Sequence, residues 1–231
     1  MAELFDRYDA NYREVVQSSI DFSGLPHSFF MAAKARQLQE AVDTHFGCDV
    51  KPSLLDIGCG VGTLHPFIQK AFGRVSGVDV SDASIAQART SNSSIQYKSY
   101  DGHTLPYGDH EFDVVTAVCV MHHVARVEWL RFVEEARRVV RPGGLVCIME
   151  HNPYNPLTRL AVSRCPFDAD ATLLRAGQTR DLLRQAGLYN VQSKHFLLLP
   201  STTAFAHRIE RFFAKLPLAA QYLTSGEKRP D

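Results

Sequence analysis

The chain of 231 residues is long enough to bury one large hydrophobic core, and this length favours a single α/β domain over two domains. Lys plus Arg and Asp plus Glu are balanced at 25 residues each, so the chain has no net charge that would attract a polynucleotide or an anionic membrane. We therefore expect a small-molecule substrate, no nucleic-acid partner and no membrane contact, and the composition leaves the oligomeric state open.

The five cysteines include no Cys-x-x-Cys pair, which is the commonest spacing of cysteines in metal centres and redox motifs. We expect reduced cysteines, no metal site and a cytoplasmic protein. No apolar run reaches the roughly 18–20 residues that span a bilayer, and the N-terminus lacks the basic-then-apolar order of a signal peptide.

Residues 1–46 are rich in aromatic residues and helix formers, which predicts two helices broken near Ser23-Gly24-Leu25-Pro26. So much aromatic surface is untypical of a disordered segment and must pack on something. We interpret residues 1–46 as a helical cap that covers either the core or a ligand pocket, and residues 47–231 as the main domain.

Strand-like and helix-like segments alternate from residue 51, which predicts a parallel sheet covered by helices on both faces. The segment 95–99 alternates polar and apolar residues and is expected at an edge of this sheet. The predicted strands are 53–57, 75–79, 95–99, 112–118 and 144–150, and the predicted helices between them are 62–72, 82–90 and 126–140, the last ending at Arg141-Pro142-Gly143-Gly144.

The C-terminal part predicts two more strands and segments that border the substrate. Pro153 and Pro156 predict a loop after the strand at 144–150. We interpret 151–178 and 200–217 as insertions on the substrate side, with the pocket between them and the N-terminal helices. The remaining predicted elements are helices at 178–186 and 204–216 and strands at 189–197 and 219–225.

Residues 54–62 have the pattern of a strand, a glycine-rich turn and the start of a helix. Such a turn lets a ligand approach the backbone closely, and several nucleotide-binding folds use it. Asp79 ends the next predicted strand, where a carboxylate can bind the two hydroxyls of a ribose. Thr63 stands where a dinucleotide fingerprint has its third glycine, which disfavours a nucleotide-dependent oxidoreductase.

Five stretches of the sequence, in their order along the chain, resemble motifs of the class I S-adenosylmethionine-dependent methyltransferases of the small-molecule type. The resemblance covers roughly residues 51–150 and implies a Rossmann-like, mostly parallel sheet of seven strands with an antiparallel last strand and an N-terminal helical lid. It implies transfer of a methyl group from S-adenosylmethionine to an oxygen or nitrogen of a small metabolite. The stretches are Leu54–Gly62, Gly77–Ser81, Asp101-Gly102, Phe112–Val115 and Arg141–Gly144.

The same resemblance implies which residues bind the cofactor. Asp79 would bind the ribose hydroxyls, and Asp101 with Gly102 would face the adenine. Tyr12 would belong to the lid. The other residues expected at the cofactor are Asp56, Gly58, Cys59, Gly60, Val80, Val118 and Cys119, although Cys119 is also interpreted as a small apolar residue.

Three histidines follow predicted strands at the edge where ligands bind in open parallel sheets. His122 and His123 follow the strand at 112–118, and His151 follows the strand at 144–150. A histidine titrates near neutral pH, so each is a candidate base for removing a proton from the methyl acceptor. Two alternatives stay open: one ring caps the next helix, or the protein is a non-catalytic S-adenosylmethionine sensor or activating subunit.

Overall fold

The computed structural model describes residues 12–199 and 216–230, apart from the side chains of residues 12 and 13. Seven strands form one sheet: β1 (Ser53–Ile57), β2 (Arg74–Asp79), β3 (Gln96–Ser99), β4 (Phe112–Val118), β5 (Val140–His151), β6 (Tyr189–Phe196) and β7 (Gln221–Glu227). The α-helices of the described residues are α1 (Tyr12–Ile20), α2 (His27–Phe46), α3 (His65–Ile68), α4 (Asp82–Ser91), α5 (Trp129–Val139), α6 (Pro156–Arg164) and α7 (Ala176–Gln185).

The strand order is β3-β2-β1-β4-β5-β7-β6. Strands β1 to β5 pair in parallel, whereas β7 runs antiparallel between β5 and β6. This arrangement confirms the expected Rossmann-like sheet with an antiparallel last strand and with residues 96–99 at an edge. The chain reverses its direction of winding between β1 and β4, and ligands bind such sheets at the carboxyl ends of the strands beside that reversal.

Apolar side chains cover both faces of the sheet, which explains why β4 and β5 are nearly continuous apolar runs. One face packs against α5 and α7 through Val133 and Leu183, both fully buried. The other face packs against α2, α3 and α4 through Leu38, Ile68 and Ile85. The two cores hold the carboxyl ends of the central strands in fixed positions.

Strand β5 is longer than the sequence predicts. The preceding helix ends at Val139, and Val140 already pairs with Phe112, so the Pro142-Gly143-Gly144 segment lies inside the strand. The register with β4 shifts between Phe112 and Val114 to accommodate this segment. The predicted start of this strand at residue 144 is wrong, because a proline–glycine stretch that ends a helix can also form an irregular start to a strand.

Two helix predictions need correction. The helix predicted over 62–72 contains only the four residues of α3. Conversely, the loop predicted from Pro153 and Pro156 contains α6, because Pro156 stands at the first turn, where a missing N–H costs nothing. The Asn155 side chain caps α6 by accepting a hydrogen bond from Thr158 N at 2.9 Å. The helix predicted over 204–216 lies outside the described residues except for Leu216, which is in a bend.

The N-terminal helices break where the sequence predicts. A short 3₁₀ turn follows α1, and Gly24 then adopts a left-handed conformation with φ of 68° before α2 begins. Helix α1 packs against both α2 and α6, so the N-terminal helices and the segment after β5 meet above the sheet. In the described part of the chain, every helix is too short or too polar to cross a bilayer.

Candidate active site

A cavity of about 490 Å³ lies at the carboxyl ends of β1 and β4, beside the reversal of the sheet. Its walls come from α1, α2 and α6 and from the turns that follow β1, β4 and β5. The cavity lies between the N-terminal helices and the segment after β5, which is where the sequence analysis expects the substrate pocket. The third predicted wall, residues 204–215, lies outside them.

The glycine-rich turn after β1 is held against the end of β2 by backbone hydrogen bonds. Gly58 N and Cys59 N both donate to Val78 O, at 2.7 and 3.0 Å. A Cβ atom on Gly58 would lie 2.5 Å from Cγ2 of Val120, so a larger residue at this position would displace the turn after β4. By contrast, no atom lies within 4 Å of the position of a Cβ on Gly60. The turn therefore leaves open space beside Gly60.

Asp79 connects this turn to β2. Its two carboxylate oxygens accept hydrogen bonds from Gly60 N at 2.8 Å and from Ser81 N at 3.0 Å. The side chain is buried, and burial raises the pKa of Asp79 although the backbone N–H groups of Ser81 and Gly60 partly offset it. The carboxylate thus lies at the end of β2 with lone pairs left to accept further hydrogen bonds.

Asp56 is a buried acid that borders the cavity. Its Oδ2 lies 3.1 Å from His65 Nε2, and His65 Nδ1 lies 2.5 Å from the Tyr97 hydroxyl. Its Oδ1 has no hydrogen-bond partner among the described residues. A buried carboxylate oxygen without a partner is costly, so the site is suited to a ligand that donates hydrogen bonds or carries positive charge.

The other residues expected at the cofactor are divided between the cavity and the neighbouring edge. Those that border the cavity, together with Asp56, are Cys59, Gly60, Val118 and Cys119. Those that lie outside its lining are Gly58, Asp79, Val80, Asp101 and Gly102. Asp101 Oδ1 accepts hydrogen bonds from His103 N and Thr104 N, both at 2.8 Å, and these contacts lower the pKa of the exposed carboxyl. Gly102 lines a small separate recess that Ile57 also borders. The side chain of Tyr12 lies outside the described residues.

His122 is buried between two carboxylates. Its Nδ1 lies 2.5 Å from Glu150 Oε2, and its Nε2 lies 3.4 Å from Asp168 Oδ1. Burial alone would lower the pKa of His122, but the charge of Glu150 and the bonds to both carboxylates raise it to about 10. At neutral pH such a ring carries protons on both nitrogens and cannot accept another, so this arrangement does not suit His122 to act as a base.

His123 and His151 also border the cavity. Burial and the neighbouring charge of His122 lower the pKa of His123 to about 4, so its ring is neutral at pH 7. The His151 ring lies 5.3 Å from the His122 ring, measured between centroids, and its Nδ1 lies 3.4 Å from Gln221 Nε2. The structure therefore brings the three predicted histidines together at one wall.

Residues 55–148 match a family model described as a methyltransferase domain. The ubiquinone biosynthesis O-methyltransferase of Sinorhizobium medicae is 31% identical over 144 residues, which cover 58% of this chain and 57% of that protein. The chain thus spans little more than half the length of this curated relative. A Thermotoga maritima structure described as an S-adenosylmethionine-dependent methyltransferase, possible histamine N-methyltransferase, has a TM-score of 0.69 at 18% identity and covers 99% of this chain and 100% of that one.

Residues 55–148 are a methyltransferase domain. The chain has the fold of S-adenosylmethionine-dependent methyltransferases, so the expected fold is confirmed. A Haemonchus contortus phosphoethanolamine N-methyltransferase in complex with S-adenosylhomocysteine has the same fold, with a TM-score of 0.58 at 18% identity and coverage of 84% of this chain and 52% of that one.

Cys119 of the methyltransferase domain is not the inert apolar residue that the sequence suggests. Lys34 Nζ donates to Cys119 Sγ at 3.2 Å, and Gln221 Nε2 lies 4.0 Å from the same sulfur. Burial raises the pKa of Cys119, but the positive charge of Lys34 and the contact with His151 outweigh it, and the pKa falls to about 7. The thiol is therefore partly ionised at neutral pH.

Alkylation of Cys119 by iodoacetamide is expected to accelerate as the pH rises through about 7. Cys165 borders the same cavity, but burial and Asp168 raise its pKa to about 12, so it is an internal control that stays slow at neutral pH. Replacing Lys34 with methionine removes the cation and should move the midpoint for Cys119 upward. Quantitative mass spectrometry of the two peptides checks this. Equal rates for the two cysteines at pH 7 would contradict the assignment.

Four residues of this site were not predicted from the sequence, namely Lys34, Glu150, Asp168 and Gln221. Three of them, Lys34, Asp168 and Gln221, approach the predicted residues from distant parts of the chain, and no spacing rule connects them. One partial indication was present for Glu150, because it directly precedes His151 at the end of an otherwise apolar strand. A charged residue at the carboxyl end of a buried strand is a candidate for the site.

Proposed function

We propose that this protein is an enzyme that transfers the methyl group of S-adenosylmethionine to an oxygen or nitrogen of a small-molecule metabolite. One observation carries the proposal: a single cavity joins the glycine-rich turn to the wall of three histidines. Its volume of about 490 Å³ lies in the range of small-ligand pockets. Phe29, Phe30 and Met31 line part of it and favour an acceptor with an apolar portion.

The cofactor roles fit the chemistry of the residues present. The unpaired Asp56 Oδ1 is suited to the ammonium group of the methionine part, because a charge-assisted hydrogen bond offsets its burial. Asp79 is suited to the ribose hydroxyls, Asp101 with Gly102 to the adenine, and Val80 to the edge between them. Tyr12 would close over the cofactor. The residues that would line the cofactor between its ribose and its sulfur are Gly58, Cys59, Gly60, Val118 and Cys119.

S-Adenosylmethionine supplies the electrophile, a methyl group on a positively charged sulfur. The protein then has to exclude water, align the acceptor atom and hold its proton. Among the three histidines, we assign the proton to His151. Both nitrogens of His122 face carboxylates, and the lowered pKa of His123 makes it a weaker base.

Replacing Asp79 with alanine is expected to weaken S-adenosylhomocysteine binding by about 1–3 kcal/mol, the cost of leaving buried polar groups without partners. The loss has two sources: the ribose hydroxyls lose their acceptor, and so does Gly60 N. Isothermal titration calorimetry measures the change. Asp82→Ala is a matched control, because Asp82 is an exposed acid three residues further along. Affinity unchanged by Asp79→Ala would contradict the assignment of the cofactor site.

A screen of phenols, alcohols and amines with S-adenosylmethionine carrying a labelled methyl group tests the transfer itself. Release of S-adenosylhomocysteine identifies an acceptor, and NMR of the product locates the methyl group on oxygen or nitrogen. The O-methyltransferase name of the Sinorhizobium relative supports oxygen as the acceptor atom, and the possible N-methyltransferase from Thermotoga supports nitrogen.

We also propose that the protein is cytoplasmic and has no nucleic-acid or membrane partner. The five free cysteines and the balanced charge support this part of the proposal.

A further inference from the structure

Two histidines and an aspartate converge on one wall of the cavity. His122 Nε2 and His123 Nε2 each lie 3.4 Å from Asp168 Oδ1, and each of the three residues offers one ligand atom within 4.8 Å of those of the other two. All three residues border the cavity. Two imidazole nitrogens and one carboxylate oxygen form the protein donor set of catalytic zinc sites in which a fourth position stays open.

The separations of these atoms agree with a tetrahedral ion. Two ligands at about 2.1 Å from a tetrahedral zinc ion lie about 3.4 Å apart. Ligands at the same bond length around an octahedral ion would lie about 3.0 Å apart. The separations from His122 Nε2 and from His123 Nε2 to Asp168 Oδ1 are both 3.4 Å, which matches the tetrahedral value.

Contacts behind the ligands hold them in place. Glu150 Oε2 accepts a hydrogen bond from His122 Nδ1 at 2.5 Å, while Glu150 Oε1 accepts from the backbone N–H groups of Val120 and Met121 at 3.0 and 2.7 Å. A carboxylate behind the imidazole is the usual partner of a metal-binding histidine, because it fixes the tautomer whose other nitrogen binds the ion. Glu150 thus orients His122 toward the cavity.

Asp168 comes from the short 3₁₀ turn Pro166–Asp168, which follows α6. The loop that contains it is tied to the histidines by a backbone hydrogen bond from Thr172 N to His122 O at 2.8 Å. The ligand from this loop and the two ligands after β4 therefore keep their relative positions. Preorganisation of this kind is what a metal site requires of its protein.

We propose that His122, His123 and Asp168 bind a divalent cation of the zinc class, and that the open position of this cation binds the oxygen of a hydroxyl-bearing acceptor. The cation takes the place of the proton that lies between His122 Nε2 and Asp168. This assignment rests on the proposed methyl transfer and narrows its acceptor to an alcohol or phenol. This site departs from the expectation of no metal, which rested on the absence of the usual metal-ligand spacings from the sequence.

The cation would make the acceptor oxygen a better nucleophile by lowering the pKa of its hydroxyl group. The hydroxyl gives its proton to His151, its oxygen forms a bond to the methyl carbon, and the carbon–sulfur bond breaks with both electrons kept by sulfur. The products are the methyl ether, S-adenosylhomocysteine and a protonated His151, which returns the proton to solvent.

Equilibrium dialysis of the full chain against Zn²⁺, after chelator treatment, tests the site without any methyl transfer. Wild-type protein is expected to retain about one ion per chain in the Asp168-dependent site. Glu150→Gln should lower the affinity about 10–100-fold, the effect of removing an outer partner, and Asp168→Asn should lower it by more than about 100-fold because a ligand is lost. The matched control is Asp170→Asn, the same change at an exposed position of the same loop.

Cobalt supplies an independent readout, because Co²⁺ in a tetrahedral site absorbs visible light far more strongly than octahedral aqueous Co²⁺. The wild type and Asp170→Asn should show this spectrum, and Asp168→Asn should lose it while keeping its circular dichroism and S-adenosylhomocysteine affinity. Zn²⁺ binding that is absent from the wild type, or unchanged in Asp168→Asn, would overturn the metal site even if methyl transfer is found. Metal binding without transfer to any hydroxyl acceptor would overturn the acceptor assignment while leaving the metal site established.

Discussion

His151→Asn is expected to lower turnover about 10²–10⁴-fold, the range for loss of a general base, while S-adenosylhomocysteine affinity stays at the wild-type value. Asparagine can keep a hydrogen bond to Gln221, which lies 3.4 Å from His151 Nδ1, but it cannot take up a proton. The loss should therefore appear in kcat, with little change in the KM of the acceptor. The measurement is the rate of S-adenosylhomocysteine release with an acceptor from the screen.

His110→Asn is the matched control for this variant. His110 is an exposed histidine just before β4, at the end of the sheet opposite the cavity, and its substitution should leave the rate unchanged. A wild-type rate for His151→Asn would show that another group removes the proton. Cofactor binding without transfer to any acceptor, even by the wild-type protein, would favour the non-catalytic sensor or activating subunit instead.

The central strands could be predicted from the sequence because local patterns determine them. Strands β1 and β4 have the predicted bounds, 53–57 and 112–118, since each is a short apolar run with a clear turn at its end. The starts of β5 and α6 were missed because proline has more than one structural role. Pro142 lies inside an irregular strand and Pro156 starts a helix, and pairing with β4 or capping by Asn155 decides between these roles.

The proximity of the glycine-rich turn to Asp79 was also predictable, because the two lie at the ends of neighbouring strands. Their role at the cofactor stays a prediction. The sequence predicted that His122, His123 and His151 lie at this edge of the sheet, but it did not predict the protonation state of His122. His122 was interpreted as a base because the sequence shows an ordinary histidine after a strand. The two carboxylates that surround it belong to β5 and to the turn after α6, and only the folded chain brings them within contact.

Glu150→Ala is expected to lower the free energy of unfolding by about 3–5 kcal/mol, the cost of breaking a buried ion pair. The variant leaves the buried His122 ring without its closest carboxylate, and it leaves the backbone N–H groups of Val120 and Met121 without an acceptor. Denaturation by urea, followed by circular dichroism, measures the change. Glu134→Ala on the exposed face of α5 is the control and should change stability by less than about 0.5 kcal/mol.

The variant Glu150→Gln tests how much of this stability comes from the charge of Glu150 and how much from its hydrogen bonds. The glutamine oxygen can still accept from the backbone N–H groups or from His122, so this variant should fall between the wild type and Glu150→Ala. If Glu150→Ala were as stable as the wild type, the turn after β4 would not depend on this carboxylate. The position of His122 would then need another explanation, since His122 is fixed in the structure by Glu150 on one side and by Asp168 on the other. A large loss would instead show that the carboxyl end of β5 anchors the wall on which the proposed metal ligands and His151 are arranged.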